Sequence, residues 1–355
     1  IQCWIITIMS ININRPTISY ENIALLKGSS PSYSINSNSG SSINLIPFVQ
    51  DFSFSFDTKT EDVLTLGDKF YSKRVNRYDV DVNLDVTILE TFENMFSGFF
   101  SGSEMLEDLN QDCSFYTALG KRKRFSDFSD FDETVNFGNA FLKNFSLNQS
   151  TKQFLTSKYS YTCSNTTAEI KQGSPGTITN PAINLTGNQL QDLTSTLPNV
   201  QSLYEGQGDV QGELFPSYGT SIHISGVKNE NTFLVNPDMI QNFSLDIPFG
   251  RKKIFKIGKK YPIARKFTHT TEGGLSLSTK TSEFYLTGQE SNLKDFLQLN
   301  DDYVISIKFT NMNSVEYDFE ISGARLASNS QSMSLSEDLN SSFSFDFNLF
   351  DFKKV

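Results

Sequence analysis

Strict alternation of apolar and polar side chains is the dominant pattern along this chain. Phe52, Phe54 and Phe56 alternate with serine, and a run near the end places phenylalanine at 343, 345 and 347 between small polar residues. A third run, residues 79–90, alternates valine and leucine with aspartate and asparagine. Because successive side chains of a strand point to opposite faces, each run predicts a half-buried antiparallel strand with its apolar face in the core.

The third run also has the D-x-D-x-N spacing of a calcium-binding loop, with Glu90 at the twelfth position. Such a loop needs glycine at its sixth position, where the chain turns sharply, and Leu84 stands there. We therefore predict a strand whose exposed face carries an acidic stripe, formed by Asp79, Asp81 and Asp85.

An internal repeat organises the chain. Residues 50–74 align without gaps on residues 241–265, an offset of 191 that places Arg74 on Arg265. A second block aligns at an offset of 184, with Ala140 on Ala324 and residues 159–161 on 343–345. Two blocks in the same order, with one change of length between them, predict two homologous domains.

The repeat sets the predicted domain organisation. An N-terminal arm, a first copy, a connector and a second copy are expected at residues 1–29, 30–165, 166–215 and 216–355. The connector is rich in Gly, Pro, Asn, Thr and Gln, with a short helix expected near residues 188–193. Residues 1–8 are expected to precede a true start at Met9, the alternative being an apolar arm that docks on a neighbouring chain.

The predicted fold class is mainly β, with two tandem homologous β-sandwich or barrel domains. Each domain is expected to have extended hairpins and one short helix packed on a sheet. The first helix is predicted over residues 103–109 with Ser103 as its cap, and the second over 291–299 with Ser291 as its cap.

The amino-acid composition argues against several classes of function. The 355 residues include 40 acidic and 30 basic side chains, a formal net charge of -10, which argues against a dedicated nucleic-acid binder. Only 2 histidines are present, and the 3 cysteines lack the spacing of a zinc site or a disulfide framework. We predict no catalytic residue, cofactor or metal.

The longest apolar stretch, residues 1–8, is far shorter than the roughly 20 residues that span a bilayer, so no membrane partner and no signal peptide are expected.

The chain also contains two runs of basic residues. Lys121, Arg122, Lys123 and Arg124 are followed at once by acidic residues that nearly cancel their charge. We interpret them as a hairpin tip that contacts another subunit, the alternative being a site for nucleic acid or a targeting receptor. The basic residues between 251 and 260 are expected to lie on a solvated or subunit-facing strand edge.

Three sequence features together resemble the tail-tube domain of long-tailed bacteriophages. They are the strand Q-[DN]-F-S, the hairpin [VI]-[LF]-x-[LI]-G-x-K-[FY]-x3-R that follows it in both copies, and the closing segment 321–349. The resemblance covers about two thirds of the chain. It implies a β-sandwich with a flanking helix, whose hairpins join neighbours into a ring; duplicated members of this family form rings of three chains with pseudo-sixfold symmetry.

The resemblance also implies a function. The chain would be a virion structural protein, a major tail tube subunit whose stacked trimeric rings form the channel for DNA delivery. It would assemble in the host cytoplasm and reside in the virion tail. Its partners would be further copies of itself, other tail proteins such as the tape measure, terminator and baseplate, and DNA in transit without specific binding. Asp79, Asp81 and Asp85, with Glu272 at the place matching Asp81, would line the channel, because an acidic wall repels phosphates.

Three alternatives stay open at this point. A baseplate or tail-tip ring protein could use the same fold. A glycan-binding β-sandwich would use Tyr and Phe as stacking platforms in loops, whereas here the aromatic residues occupy alternating strand positions. An enzyme would need a carboxylate pair at a meaningful spacing, and none stands out.

Overall fold

The structure is a computed structural model. It describes residues 23–29, 43–46, 48–63, 73–91, 100–101, 104–105, 113–120, 131–163, 165–170, 177–180, 193–196, 214–226, 240–255, 257, 262, 264–268, 272–280, 302–310, 316–332, 340–348 and 352–354. These residues are nearly all in strands, which confirms the predicted β class.

Strands β1 to β12 precede residue 200. They are Ile23–Ser29, Ile43–Leu45, Val49–Val63, Lys73–Leu89, Phe100–Ser101, Glu104–Met105, Cys113–Gly120, Phe131–Ser150, Thr156–Cys163, Asn165–Ile170, Thr177–Asn180 and Leu193–Thr196. Strands β13 to β21 follow a 3-10 turn at Ser217–Gly219. They are Thr220–Gly226, Ile240–Pro248, Arg251–Ile254, Ala264–Phe267, Glu272–Lys280, Tyr303–Thr310, Glu316–Ser332, Asn340–Asn348 and Phe352–Lys354.

Fifteen of these strands form one large sheet in which every pairing is antiparallel. Its centre is a run of eight neighbouring strands in the order β3-β4-β9-β8-β14-β17-β20-β19. This run is called the central sheet below. It contains residues from both ends of the chain, and its two halves meet where β8 pairs with β14.

The long strands β8 and β19 each run from the central sheet into a flanking group of strands. The outer part of β8 pairs with β7 and β10, and the outer part of β19 pairs with β18 and β21. The backbone takes a left-handed conformation at Asn139 (φ 50°) and at Gly323 (φ 73°), the region that asparagine and glycine tolerate best. These residues mark the corners at which each strand turns from one group to the other.

The core lies on one face of the central sheet. Along β17 and β20 the buried and more exposed positions alternate without a break, as their sequences predict. Phenylalanines dominate this core, with Phe145, Phe309, Phe319 and Phe345 almost wholly buried. The opposite face of the central sheet carries mainly Ser, Asn and Thr, and is called the polar face below.

The strands on the two sides of the β8–β14 joint follow one pairing scheme. The first set has the order β1-β7-β8-β9-β4-β3 with β10 on β8, and the second has β13-β18-β19-β20-β17-β14 with β21 on β19. Registers correspond as well, since Phe54 lies opposite Leu84 and Leu245 lies opposite Leu275. Residues at the same place in the two schemes are called counterparts below.

Irregularities of the ladders also recur at counterpart positions. The β8–β9 ladder shifts register between Leu142 and Asn144, and the β19–β20 ladder shifts between Leu326 and Ser328. A bulge is rarely placed by chance, because it re-aims every side chain beyond it.

The described strands confirm one local sequence prediction and correct another. The strand predicted over residues 79–90 is confirmed by β4, which excludes the calcium loop. The helix predicted over 103–109 is wrong at Glu104 and Met105, which form β6. A helix of seven residues has too few internal hydrogen bonds to form without strong packing, so pairing with β5 prevails. The predicted helix at 291–299 lies outside the described residues.

Strand pairing also crosses the predicted segment boundaries. β1 falls within the predicted N-terminal arm and pairs with β7. β10 falls within the predicted connector except for its first residue, Asn165, and pairs with β8. The connector also contains the hairpin β11–β12. The second strand of this hairpin begins at Leu193, which is the last residue of the segment for which a helix was expected.

Candidate assembly surface

The joint between the two halves of the chain is a strand-to-strand contact. β14 pairs with β8 over seven residues, from Asn242 opposite Ser150 to Pro248 opposite Asn144. Backbone hydrogen bonds extend it at both ends, from Phe249 N to Lys143 O (2.7 Å) and from Thr151 N to Gln241 O (2.8 Å). A continuous ladder of this length satisfies the backbone groups that each strand would otherwise expose at a sheet edge.

Apolar side chains fill the core side of this joint. On β14, Leu245 and Ile247 are each 1% exposed, and their neighbours on β8, Leu147 and Phe145, are equally buried. On the polar face, Asn144 Nδ2 donates a 2.8 Å hydrogen bond to Asp246 Oδ1. Side chains of the two halves therefore contact each other on both faces of the joint.

A short segment before β13, residues 215–217, makes hydrogen bonds at one end of the same joint. Leu155 N and Gln149 Nε2 both donate to Phe215 O, at 3.1 and 3.3 Å. Lys152 N donates to Ser217 Oγ at 3.0 Å. The Phe215 ring is buried and packs edge-on against Phe309, so this segment links the β8–β9 turn to the core of the second half.

The hairpin β15–β16 contacts the other end of the β8–β14 joint through two arginines. Arg251 Nε donates to Leu142 O (2.8 Å) and Arg265 Nη1 donates to Thr162 Oγ1 (3.2 Å). Both guanidinium groups lie near the Phe141 ring, 5.3 and 5.9 Å from its centroid, which is a cation–π geometry. Burial, and then the charge of Arg265, lower the pKa of Arg251 to about 10. The expectation that the 251–260 segment is solvated or faces another subunit is thus wrong for Arg251, which is directed at the other half of its own chain.

β3 presents the contrasting edge. Among the described strands it pairs only with β4, and its other edge has no described neighbour. Phe54 and Phe56 are 44% and 53% exposed, although their counterparts Leu245 and Ile247 are 1% exposed. The rings contact each other at 5.6 Å between centroids, and Phe54 contacts Phe137 at 5.3 Å. β3 is therefore a long aromatic edge strand, which in an isolated chain favours association.

The prediction that these phenylalanines are buried core residues is correct for the face but wrong for the exposure of Phe54 and Phe56. Alternation places a side chain on the core face, whereas exposure also depends on whether another strand lies alongside. The sequence of β3 carries no signal that separates it from the covered strand β14. Phe54, Phe56, Arg251 and Arg265 are thus the functional candidates that pattern analysis missed.

A second edge lies at the opposite end of the central sheet. β19 pairs with β20 over Arg325–Ser332, and on its other side this part of the strand has no described neighbour. The counterpart stretch of β8 is residues 141–148, and β14 pairs with it from residue 144 onward. Among the described strands, the two open edges of the central sheet are thus the counterparts of the two edges that meet inside it.

The polar face holds the described members of the predicted acidic stripe. Asp85 lies opposite Ser160, with its carboxylate 3.4 Å from Lys158 Nζ, and Glu272 is exposed at the start of β17. Asp79 and Asp81 belong to β4, but their side chains lie outside the described residues. Lys158 reduces the local negative charge, so the stripe as described is weaker than a row of unpaired carboxylates.

The predicted contact loop, Lys121 to Arg124, lies between β7 and β8 and outside the described residues. No group of three or more His, Cys, Asp or Glu side chains in the described part of the chain could hold a metal ion. Nor does this part of the chain contain a helix that is long and apolar enough to cross a membrane.

Glu90 is a buried carboxyl group at the end of β4. Tyr159 OH donates a 2.7 Å hydrogen bond to Glu90 Oε1, and Ser157 Oγ donates to the same oxygen. Glu90 Oε2 has no hydrogen-bond partner among the described residues. Burial raises the pKa of Glu90 to about 7, because water can no longer stabilise the carboxylate, and the two hydrogen bonds only partly offset this effect.

We expect Glu90 to make the protein less stable as pH rises. The carboxyl group is protonated in the folded chain but ionised in the unfolded chain between about pH 4.5 and 7, so unfolding releases a proton there. The free energy of unfolding should fall by about 3 kcal/mol across this window. Urea unfolding at several pH values, compared between the wild type and Glu90→Gln, isolates this loss. Glu272→Gln, at an exposed site, should follow the wild type; equal pH profiles for Glu90→Gln and the wild type would contradict the expectation.

Comparisons with known proteins give only distant structural likenesses. No protein-family model matches the chain, and no curated protein matches it. A chain from the anti-feeding prophage baseplate is similar over 38% of this chain and 91% of its own length, with 11% identity and a TM-score of 0.28. A chain from the cap that terminates the tube of the same particle is similar over 47% of this chain and 100% of its own length, with 12% identity and a TM-score of 0.27.

Proposed function

We propose that this protein is a tail tube subunit whose chains join edge to edge into a closed ring, and that stacked rings form a channel for DNA. The observation that carries the proposal is the match between the internal joint and the open edges. β14 meets β8 inside the chain, and the counterparts of these strands, β3 and β19, are the two edges of the central sheet that have no described neighbour. β3 of one chain would then pair with β19 of the next.

The correspondence of the two strand sets supports an internal duplication. Matching pairing orders, registers and bulges are expected if one domain was copied, and they are costly to reach independently. If the two halves are copies, the contact between them is head-to-tail, because β14 of one half meets β8 of the other. A head-to-tail contact repeats until it closes into a ring or continues as a helical filament.

The joint between chains would be weaker than the joint inside one chain. Applying the internal register to the open edges places Phe54 opposite Gln331 and Phe56 opposite Asn329. At the internal joint the corresponding β8 residues are the apolar Leu147 and Phe145. Amide side chains bury less apolar area than leucine and phenylalanine, so we expect ring formation to depend on protein concentration.

The size of the central sheet fits a channel. Three chains, each with eight central strands, would give a barrel of 24 strands. With strands about 4.8 Å apart and tilted by about 40°, its diameter would be roughly 48 Å. Barrels of 16–18 strands already enclose an aqueous channel. The polar face would line this channel, since the other face is buried in the core.

A lining of this kind suits DNA in transit. Serine, asparagine and threonine dominate the described polar face, and Asp85, Asp246 and Glu272 add negative charge. Among the described residues of this face few are cations, Lys158 being one, so counterion release would contribute little to adhesion. Asp79 and Asp81 remain predicted members of the lining.

Ring formation can be tested on the purified protein. We expect light scattering and negative-stain images at high protein concentration to show a species of three chains with a central hole, or stacks of such rings. Dilution should release monomers that retain a β-type circular dichroism spectrum. A protein that stays monomeric at every concentration and salt condition would contradict the proposed function.

A further inference from the structure

Residues 214–217, called the entry segment below, lie at the start of the second half of the chain and contact the first half. Thr91, the residue after Glu90, forms an isolated antiparallel bridge with the first residue of this segment. Leu155 joins the same elements, because its N donates to Phe215 O (3.1 Å) while its O accepts a hydrogen bond from Glu90 N (2.9 Å). The entry segment is therefore attached to the two residues that follow β4.

Glu90 continues the core face of β4 by one step. Val86 and Ile88 are buried apolar residues on that face, and Glu90 is itself 1% exposed. One of its carboxyl oxygens accepts hydrogen bonds from Ser157 and Tyr159, and the other has no partner among the described residues. A neutral carboxyl group is far less costly to bury in such a place than a carboxylate with an unpaired oxygen, so the folded end of β4 favours the protonated form.

The described groups around Glu90 bring no positive charge to it. Tyr159 on β9 is titratable, but burial and the neighbouring Glu90 raise its pKa, so it stays neutral. The entry segment contributes only Leu, Phe, Pro and Ser. Asp51 on β3 and Lys158 on β9 both lie opposite Thr87 on the polar face, and Lys152 is exposed in the β8–β9 turn. Glu90 is therefore the group of this cluster that titrates near neutral pH.

We propose that Glu90 is a pH-sensitive switch, which holds the entry segment against the first half when it is protonated and releases the segment when it ionises. Glu90 lies one residue beyond β4, so its carboxylate reaches water if residues 90 and 91 leave the sheet, and the central strands need not separate. That movement breaks both the hydrogen bond from Glu90 N to Leu155 O and the bridge from Thr91 to the entry segment. The switch acts within one chain and does not depend on ring formation.

Amide hydrogen exchange of the dilute protein tests this switch at Leu155, whose N–H donates to the entry segment. Its protection factor, corrected for the intrinsic pH dependence of exchange, should fall by roughly 70-fold between pH 5 and pH 8. The reason is that the closed form holds a proton which the open form releases between about pH 4.5 and 7. Dilute urea should leave this exchange unchanged, as expected for a local opening that exposes little surface.

Three variants separate the switch from a general effect of pH. Glu90→Gln keeps a neutral side chain, so the protection of Leu155 should be nearly equal at pH 5 and pH 8. Glu272→Gln removes an exposed carboxylate and is the matched control, which should follow the wild type. Tyr159→Phe removes a donor to the carboxylate and should move the midpoint of the transition to higher pH. Phenylalanine already occupies the counterpart position, 343, so this variant also provides a test if Glu90→Gln fails to fold.

Two results would overturn the switch. One is a protection factor at Leu155 that is independent of pH in the wild type, or that falls equally in Glu90→Gln. The other is exchange at Leu155 that matches the exchange of the central strands at every urea concentration, because the entry segment would then leave only when the whole chain unfolds. Either result leaves the proposed ring intact, since ring formation is measured separately.

Discussion

Phe56→Glu should abolish ring formation while leaving the chain folded. The side chain is 53% exposed, so a carboxylate there stays hydrated in the monomer. At a joint between chains it would be enclosed beside the neighbouring strand, where an unpaired charge costs several kcal/mol. We expect a loss of assembled species of at least a hundredfold at equal concentration, measured by light scattering and by particle counts in negative stain.

A conservative change at the same site serves as the control for Phe56→Glu. Phe56→Leu keeps an apolar side chain on the edge strand and should still form rings, at a somewhat higher concentration. The thermal melting of dilute monomers should be similar for both variants. Normal rings from the Phe56→Glu protein would show that β3 is not the joining edge.

Leu245→Ala should have the opposite signature, a large loss of stability in the monomer itself. Leu245 is buried at the β8–β14 joint, and removing a buried leucine side chain typically lowers the free energy of unfolding by about 2–5 kcal/mol. Phe54→Ala, at the counterpart position on the open edge, should cost clearly less because that ring is 44% exposed. Urea unfolding of both variants below the assembly concentration gives the comparison.

The unfolding curves of these two variants show whether the two halves of the chain unfold together. If Leu245→Ala lowers the single unfolding transition of the whole chain, the two halves unfold as one unit. Equal losses for Leu245→Ala and Phe54→Ala would contradict the burial difference on which the assembly proposal depends. Two separate transitions would show that each half retains a core of its own.

The β class and several individual strands could be predicted because alternation reports directly on the two faces of a strand. The run through Leu84 is one confirmed example, and the closing run through Phe345 is another. The short helix predicted at Ser103 failed at Glu104 and Met105, because cap and spacing rules are weak over seven residues. Local propensity was too small there to resist pairing with β5.

The assembly surface could not be predicted in the same way. Phe54 and Leu245 stand in matching alternating strands, yet Phe54 is partly exposed and Leu245 is buried. The difference arises from which strand lies alongside, a contact between residues about 100 positions apart in the case of β14 and β8. Likewise, the basic run at 251–253 gives no sign that Arg251 stacks on Phe141. Edge status is a property of the topology, and the topology was not available from the sequence.

The β8–β14 joint also changes the kinetics expected for assembly. Because both strands belong to one polypeptide, this contact forms at an effective concentration set by chain length, independent of how much protein is present. A ring built from three such chains would need only two encounters in solution before it closes, whereas six separate domains would need five. Each avoided encounter removes a loss of translational and rotational freedom estimated at several kcal/mol. Nucleation of the first ring should therefore require far less protein than for an equivalent set of single domains, and severing the polypeptide between its halves should slow nucleation more than growth.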